Sequence, residues 1–165
     1  MMMPPRVYTD TSVYGGPFDP EFQTASRRFF KGLREKRFVA LISDALIEEA
    51  ERAPTRVKEL LAETIKGGAE LLEVTQEAVE LRDAYLRAGV LSPNYDDDAL
   101  HVALATLARA DAIVSWNFRH LVNPARIRGF NGVNMMRGYG PVVILSPDDF
   151  IKGLEVSGEE DEEEV

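Results

Sequence analysis

Cysteine is absent from the 165 residues, which excludes a disulfide, a thiolate metal site and a cysteine nucleophile. Histidine occurs only twice, as His101 and His120, too few for a histidine-based zinc site without carboxylates to complete it. No apolar run approaches the roughly 18 residues that a membrane-spanning helix needs. The segment from Met1 to Arg6 lacks the apolar stretch of a secretion leader, so a cytoplasmic protein is expected. A repeat of fixed period is also missing, and with it any solenoid architecture. What remains is 45% apolar and 28% charged, the usage of one globular domain with a substantial core.

Net charge is −9, which at first speaks against a phosphate-bearing partner. Its distribution changes that reading. Seven of the 28 acids lie between Glu155 and Val165, where there is no base, leaving 21 acids against 19 bases and a net of −2 over residues 1–154. A single domain over 1–154 followed by a disordered acidic tail over 155–165 is the expected organisation. The body need not repel RNA if some of its acids are neutralised by a cation.

Hydrophobic patterning alternates strand with helix. Arg6–Thr9 reads as a first strand ending at Asp10, followed by a loop from Thr11 to Pro17. Residues 20–37 form a basic amphipathic helix, with Phe22, Ala25, Phe29, Phe30 and Leu33 at helical spacing. Phe38–Ser43 is a buried-type strand, and Asp44 is expected to cap the helix that runs on to Ala53. Further helices are predicted over 55–66 and from the Thr75 cap to about Ala88, with a brief extended segment over 70–74 between them. The spacing of Pro124, Gly129, Asn131, Gly132 and Asn134 predicts a short helix broken by turns. Val142–Leu145 is a last strand, and 147–151 a helical turn. The pattern defines an α/β domain with a mainly parallel sheet covered on both faces, a three-layer α/β/α sandwich.

The stretch Tyr95–Leu121 is the most informative. Asp96, Asp97 and Asp98 stand at the start of a helix that is apolar on most faces and are expected to cap it. Ala112–Val114 follows as a buried strand ending at Ser115, Trp116 and Asn117. In an open parallel sheet, ligands gather at the carboxyl ends of strands. Three acidic positions fall at that edge: Asp10, one of Glu48 and Glu49, and one of the Asp96–Asp98 run. Glu48 and Glu49 lie about 100° apart on a helix, so at most one aims at a given point. Clustered carboxylates suit Mg²⁺ or Mn²⁺, hard ions with oxygen ligands, and such a set is the make-up of a phosphodiester-cleaving centre. Each acid also has an ordinary structural use as a turn or cap residue.

The sequences VYTDTSVYGG, LISDALIEEAERAP and DDDALHVALATLARADAIVSWNFRHLVN together resemble the PIN-domain family, in particular its VapC-like branch, over about Val7 to Pro147. The resemblance implies a PIN-like fold and a Mg²⁺- or Mn²⁺-dependent ribonuclease acting on RNA. It also implies a cognate antitoxin protein and a homodimer as partners. The family's acids map to Asp10, Glu49 and Asp98 as metal ligands, with the fourth catalytic position at Asn117. That position is ordinarily an acid; asparagine adds no charge there, but can orient a water or offer its carbonyl oxygen.

Two other readings stand beside this one. A catalytically weak PIN-like module binding RNA or a protein is favoured by Asn117. A phosphotransfer domain of the haloacid-dehalogenase kind would use Asp10 as nucleophile but wants a second Asp where Ser12 stands. Trp116 reads as core beside the buried strand, with base stacking as its alternative role. His101, one turn after Asp98, reads as a packed or hydrogen-bonded histidine.

Overall fold

The structure, a computed structural model, describes residues 3–163. Five strands, β1 (Arg6–Thr9), β2 (Val39–Ser43), β3 (Glu70–Leu72), β4 (Ala112–Val114) and β5 (Ile144–Leu145), form one sheet in the order β3-β2-β1-β4-β5. Every pairing is parallel, with Tyr8 opposite Leu41 on one side and Ile113 on the other. The strands are short, and all but the exposed edge strand β3 are largely buried, as parallel strands between helical layers are. This is the α/β/α sandwich that the patterning implies.

Side chains alternate across the pleat. Tyr8, Leu41, Ile113 and Ile144 point into a core with α5 (Gln76–Arg87), α6 (Asp96–Leu107) and α7 (Pro124–Met136). Val7, Ala40, Ile42, Ala112 and Val114 point to the opposite core with α2 (Gln23–Arg34), α4 (Thr55–Lys66) and α8 (Pro147–Glu163). The second core is aromatic at its centre, where Phe29 packs on Phe30, Phe38 and Phe150 with ring centroids 4.8–5.9 Å apart. Strand order reverses at β1, since the chain winds from β1 through β2 to β3 and then returns to the other side for β4 and β5. The crevice beyond the carboxyl ends of β1 and β4 is therefore the topological switch point.

Several local expectations are corrected. The loop expected over 11–17 is helical: α1 (Thr11–Gly15) follows directly on β1. Asp10 is its N-cap, accepting from the Thr11 amide, and buried Val13 and Tyr14 anchor the turn. Ser43, not Asp44, caps α3 (Asp44–Ala50), through the Leu46 amide at 3.2 Å. The broken helix expected over 123–137 is the continuous α7. Asn123 caps it at the amides of Ala125 and Arg126, Pro124 takes the first turn, and Phe130 and Asn134 are buried. Tertiary packing overrides the propensity of its glycines. Gly129 is required there, because a Cβ would stand 2.9 Å from the Val90 side chain.

The acidic segment expected to be disordered from 155 continues α8 as helix to Glu163, while residues 164–165 lie outside the described residues. The helix is seeded by Phe150 and Ile151 in the aromatic core, Arg28 pairs with Glu155, and glutamate is a good helix former once a first turn is fixed.

Phe29→Ala should cost about 3–5 kcal/mol, read as a lower urea midpoint. Truncation after Leu154 removes one exposed ion pair and should cost under about 1 kcal/mol; a larger loss would show that the acidic segment is docked.

Candidate metal centre

Asp10 stands immediately after β1 and is 5% exposed. Its Oδ1 accepts from the Thr11 amide at 2.8 Å, and its Oδ2 accepts from Ser12 Oγ at 2.9 Å and Ser115 Oγ at 2.7 Å. The bland cap role and the functional placement are therefore both real: one oxygen starts α1, while the other is gripped by two hydroxyls from the ends of β1 and β4. Ser12 also accepts from the Trp116 amide at 2.9 Å, and Ser115 from the Asn117 amide at 2.9 Å, so the two strand ends are tied into one frame.

Glu49 arrives from α3. Its neighbour Glu48 faces solvent, whereas Glu49 is half-buried, which settles the choice that spacing leaves open. Its Oε2 accepts from Thr11 Oγ1 and pairs with His101 Nε2 at 2.9 Å. His101 is 1% exposed, and its Nδ1 meets the Tyr8 hydroxyl, which in turn lies 2.7 Å from Ser43 Oγ. A relay thus runs from the cap of α3 through the core tyrosine of β1 to the imidazole and back to Glu49, fixing the carboxylate from both ends of its own helix.

Asp98 and Asn117 form the other arm. Asp98 does not cap α6: the N-cap is Tyr95, without a side-chain bond, and Asp96, Asp97 and Asp98 all occupy the first turn. Asp98 Oδ2 accepts from His120 Nδ1 at 3.0 Å and makes a long contact of 3.4 Å with Asn117 Nδ2. His120 lies against Tyr95, with ring centroids 3.8 Å apart. Asn117 Oδ1 accepts the amides of Arg119 at 3.2 Å and His120 at 2.9 Å. Asn117 therefore presents its amide, not its carbonyl oxygen, to Asp98, because the carbonyl is spent closing the turn after β4.

Electrostatics follow from this packing. Burial alone would push Glu49 up, but the hydrogen bond and charge of His101, with the Thr11 hydroxyl, hold it below its ordinary 4.5. Burial would push His101 down, yet its bond to Glu49 and the charges of Asp10, Glu49 and Asp98 raise it above 6.5. Asp98 moves the opposite way from Glu49. Burial and the charge of Asp10 raise it above its ordinary 3.8, only partly offset by the two histidines. The centre has more negative charge than its own side chains neutralise.

Ligand atoms of Asp10, Glu49 and His101 all lie within 4.8 Å of one another. The Asp10 and Glu49 carboxylates of this set are therefore close enough to share one divalent ion, while His101 Nε2 is engaged on Glu49. The donor chemistry, the carboxylates of Asp10 and Glu49 with that of Asp98 near enough to feel the Asp10 charge, fits a divalent ion. The hydrogen-bond network links all four expected site residues, Asp10, Glu49, Asp98 and Asn117. Sequence reasoning read His101 as a packed, hydrogen-bonded histidine, as it is, but left out the contributions of Thr11, Tyr8, Ser43 and His120. The available signal for His120 was its place three residues after Asn117, in the turn that the Asn117 side chain closes.

A parallel sheet with carboxylates converging at its switch point describes a class of α/β metal-site domains. The family is narrower still. The PIN domain family model matches residues 6–119, and the chain belongs to the PIN domain family. Among solved structures it is similar to VapBC2 from Rickettsia felis, bound to a DNA fragment from their promoter, at 12% identity and TM-score 0.54, covering 86% of this chain and 98% of that one. FitAcB from Neisseria gonorrhoeae matches at 13% identity and TM-score 0.50, covering 86% and 97%. Mycobacterium tuberculosis VapC20, a sarcin-ricin loop cleaving toxin, matches at 14% identity and TM-score 0.50, covering 69% and 92%. At these identities the likeness is one of fold. No curated protein matches the chain.

The metal-free protein should show the paired shifts in its stability. Glu49, depressed on folding, contributes above its ordinary 4.5 and loses this as pH falls through the folded value. His101, raised on folding, contributes fully below 6.5 and loses this as pH rises through its folded value. Urea melts in chelator should therefore show a stability advantage over His101→Gln that is largest between about 4.5 and 6.5 and shrinks on both sides.

Proposed function

We propose that the chain is a Mg²⁺- or Mn²⁺-dependent endoribonuclease and the toxin of a type II toxin–antitoxin pair. The observation that carries this reading is the meeting of Asp10, Glu49 and His101 ligand atoms within 4.8 Å, beside Asp98, at the switch point of a PIN-family sheet. Asp10, Glu49 and Asp98 would hold the metal. A divalent ion held there would supply positive charge against the phosphate and would lower the pKa of water, easing formation of the attacking hydroxide.

The chain's own side chains divide the remaining work. Ser12 and Ser115 aim the Asp10 carboxylate by donating to one of its oxygens. His101 and Thr11 hold Glu49 ionised and turned inward. His120 and Asn117 steady Asp98, whose proton affinity is raised by burial and by the charge of Asp10. RNA is the substrate, and a cognate antitoxin and a second copy of the chain are the protein partners. The cytoplasm is the compartment. No helix among the described residues is long and apolar enough to cross a membrane.

A second reading, a catalytically weak module that binds RNA or a protein, is favoured by Asn117, which adds no charge and spends its carbonyl oxygen on the backbone. Cleavage separates the two. With Mn²⁺ present, the purified chain should cut single-stranded RNA, and Asp10→Asn should lower the rate by more than about a hundredfold, beyond the usual cost of losing an outer partner of a metal site. RNA bound but left intact by the parent chain would favour the second reading.

Asn117→Asp tests the fourth position. The substituted carboxylate can still accept the Arg119 and His120 amides, but it sets a second charge against Asp98. Stability in chelator should fall slightly, the metal-induced rise in melting temperature should grow, and cutting should saturate at lower Mg²⁺. Unchanged metal affinity and cleavage would place residue 117 outside the metal's reach.

A further inference from the structure

Phe118 is 50% exposed, and a single exposed ring is ordinary by itself. Its position is specific. It lies between Asn117, whose amide reaches Asp98, and Arg119, an exposed cation whose backbone amide closes the same turn. The residue therefore sits in the turn that closes one side of the carboxylate centre.

Behind it the structure is rigid. The Trp116 ring lies 6.1 Å from Phe118 and stacks on Phe22 at 4.3 Å with 20° between the planes. Trp116 Nε1 donates to Ser26 Oγ at 2.9 Å. Residue 16 must be glycine for that contact, since a Cβ there would stand 2.0 Å from Ser26 Oγ and 2.8 Å from Trp116 Nε1. The sequence reading of Trp116 as core is half right: the indole backs an aromatic ladder whose outer rung faces solvent.

An exposed aromatic held on a fixed base, next to a cation and a phosphodiester-cleaving centre, is what an unpaired nucleobase stacks on. We propose that Phe118 is the platform for a base of single-stranded RNA adjacent to the scissile phosphate. The inference rests on the nuclease reading and deepens it: the substrate must offer an unstacked base, so loops and single strands are cut and continuous duplex is not. Phe118 contributes to binding and register rather than to the reacting atoms.

The test uses the full chain carrying Asp10→Asn, to prevent cutting, and a short single-stranded oligoribonucleotide with a fluorescent purine analogue. Binding should quench the analogue. Phe118→Leu, which keeps an apolar side chain but cannot stack, should abolish the quench and weaken binding about tenfold or more, while Phe118→Trp restores both. With Asp10 intact, Phe118→Leu should raise KM with little change in kcat. Quenching and affinity unchanged in Phe118→Leu, while the parent cuts RNA, would overturn the platform alone. Loss of self-association in that variant, with quenching unchanged, would assign the ring to an interface between copies and overturn it equally. RNA neither bound nor cut by the parent would overturn the nuclease reading and the platform with it.

Discussion

Carboxylates brought together at a partly buried sheet edge repel one another, and the surroundings of Asp10, Glu49 and Asp98 are arranged against that repulsion. Asp10 takes three hydrogen bonds, from an amide and two hydroxyls. Glu49 has an imidazole and a hydroxyl, and Asp98 an imidazole and an amide. The compensation is unequal. It leaves Glu49 easy to ionise and Asp98 hard to ionise, a difference set by desolvation and by the distribution of the two histidines. Charge still unmet by the protein is what a divalent cation would neutralise.

Topology explains why these acids meet. β1 is the central strand, and both its neighbours run parallel to it, so the loops after β1, β2 and β4 all emerge at one edge. Each brings a different device. The turn after β1 makes Asp10 a helix cap, Ser43 at the end of β2 starts the helix that carries Glu49, and the turn after β4 uses Asn117 to fold back toward Asp98. Tyr8 couples the hydrophobic layer to this edge, buried among α5 and α6 while its hydroxyl reaches Ser43 and His101. The site is thus built on rigid elements, as precise metal geometry requires.

The two histidines take up part of what the neutral fourth position leaves out. A fourth acid would add charge beside Asp98; here Asn117 organises the backbone and His120 supplies the hydrogen-bond donor. Tyr95 holds the His120 ring from the other side. The same turn carries the exposed Phe118, so one short segment after β4 both steadies an acid and presents an aromatic surface.

Alternating hydrophobic runs by themselves determined the parallel sandwich, because a strand apolar on both faces has no stable place except between two helical layers. Asp10 at the end of a strand and the Asp96–Asp98 run opening an unusually apolar helix were legible as positions, and the family resemblance singled out Asp98 from the run. Helix continuity was not: Gly129 and Gly132 read as breaks until Phe130, Asn134 and the close approach to Val90 outweighed local propensity. Residues 155–163 likewise follow the docked start of α8 as helix, where composition alone argued for disorder. Spacing could not choose between Glu48 and Glu49; the family resemblance pointed to Glu49, and it is Glu49 that the fold packs against Thr11 and His101. The roles of Tyr8, Ser43, His101 and His120 were decided by tertiary structure alone. Each depends on a partner many residues away, and one-dimensional spacing carries no information about which hydroxyl or imidazole a fold will turn toward a buried charge.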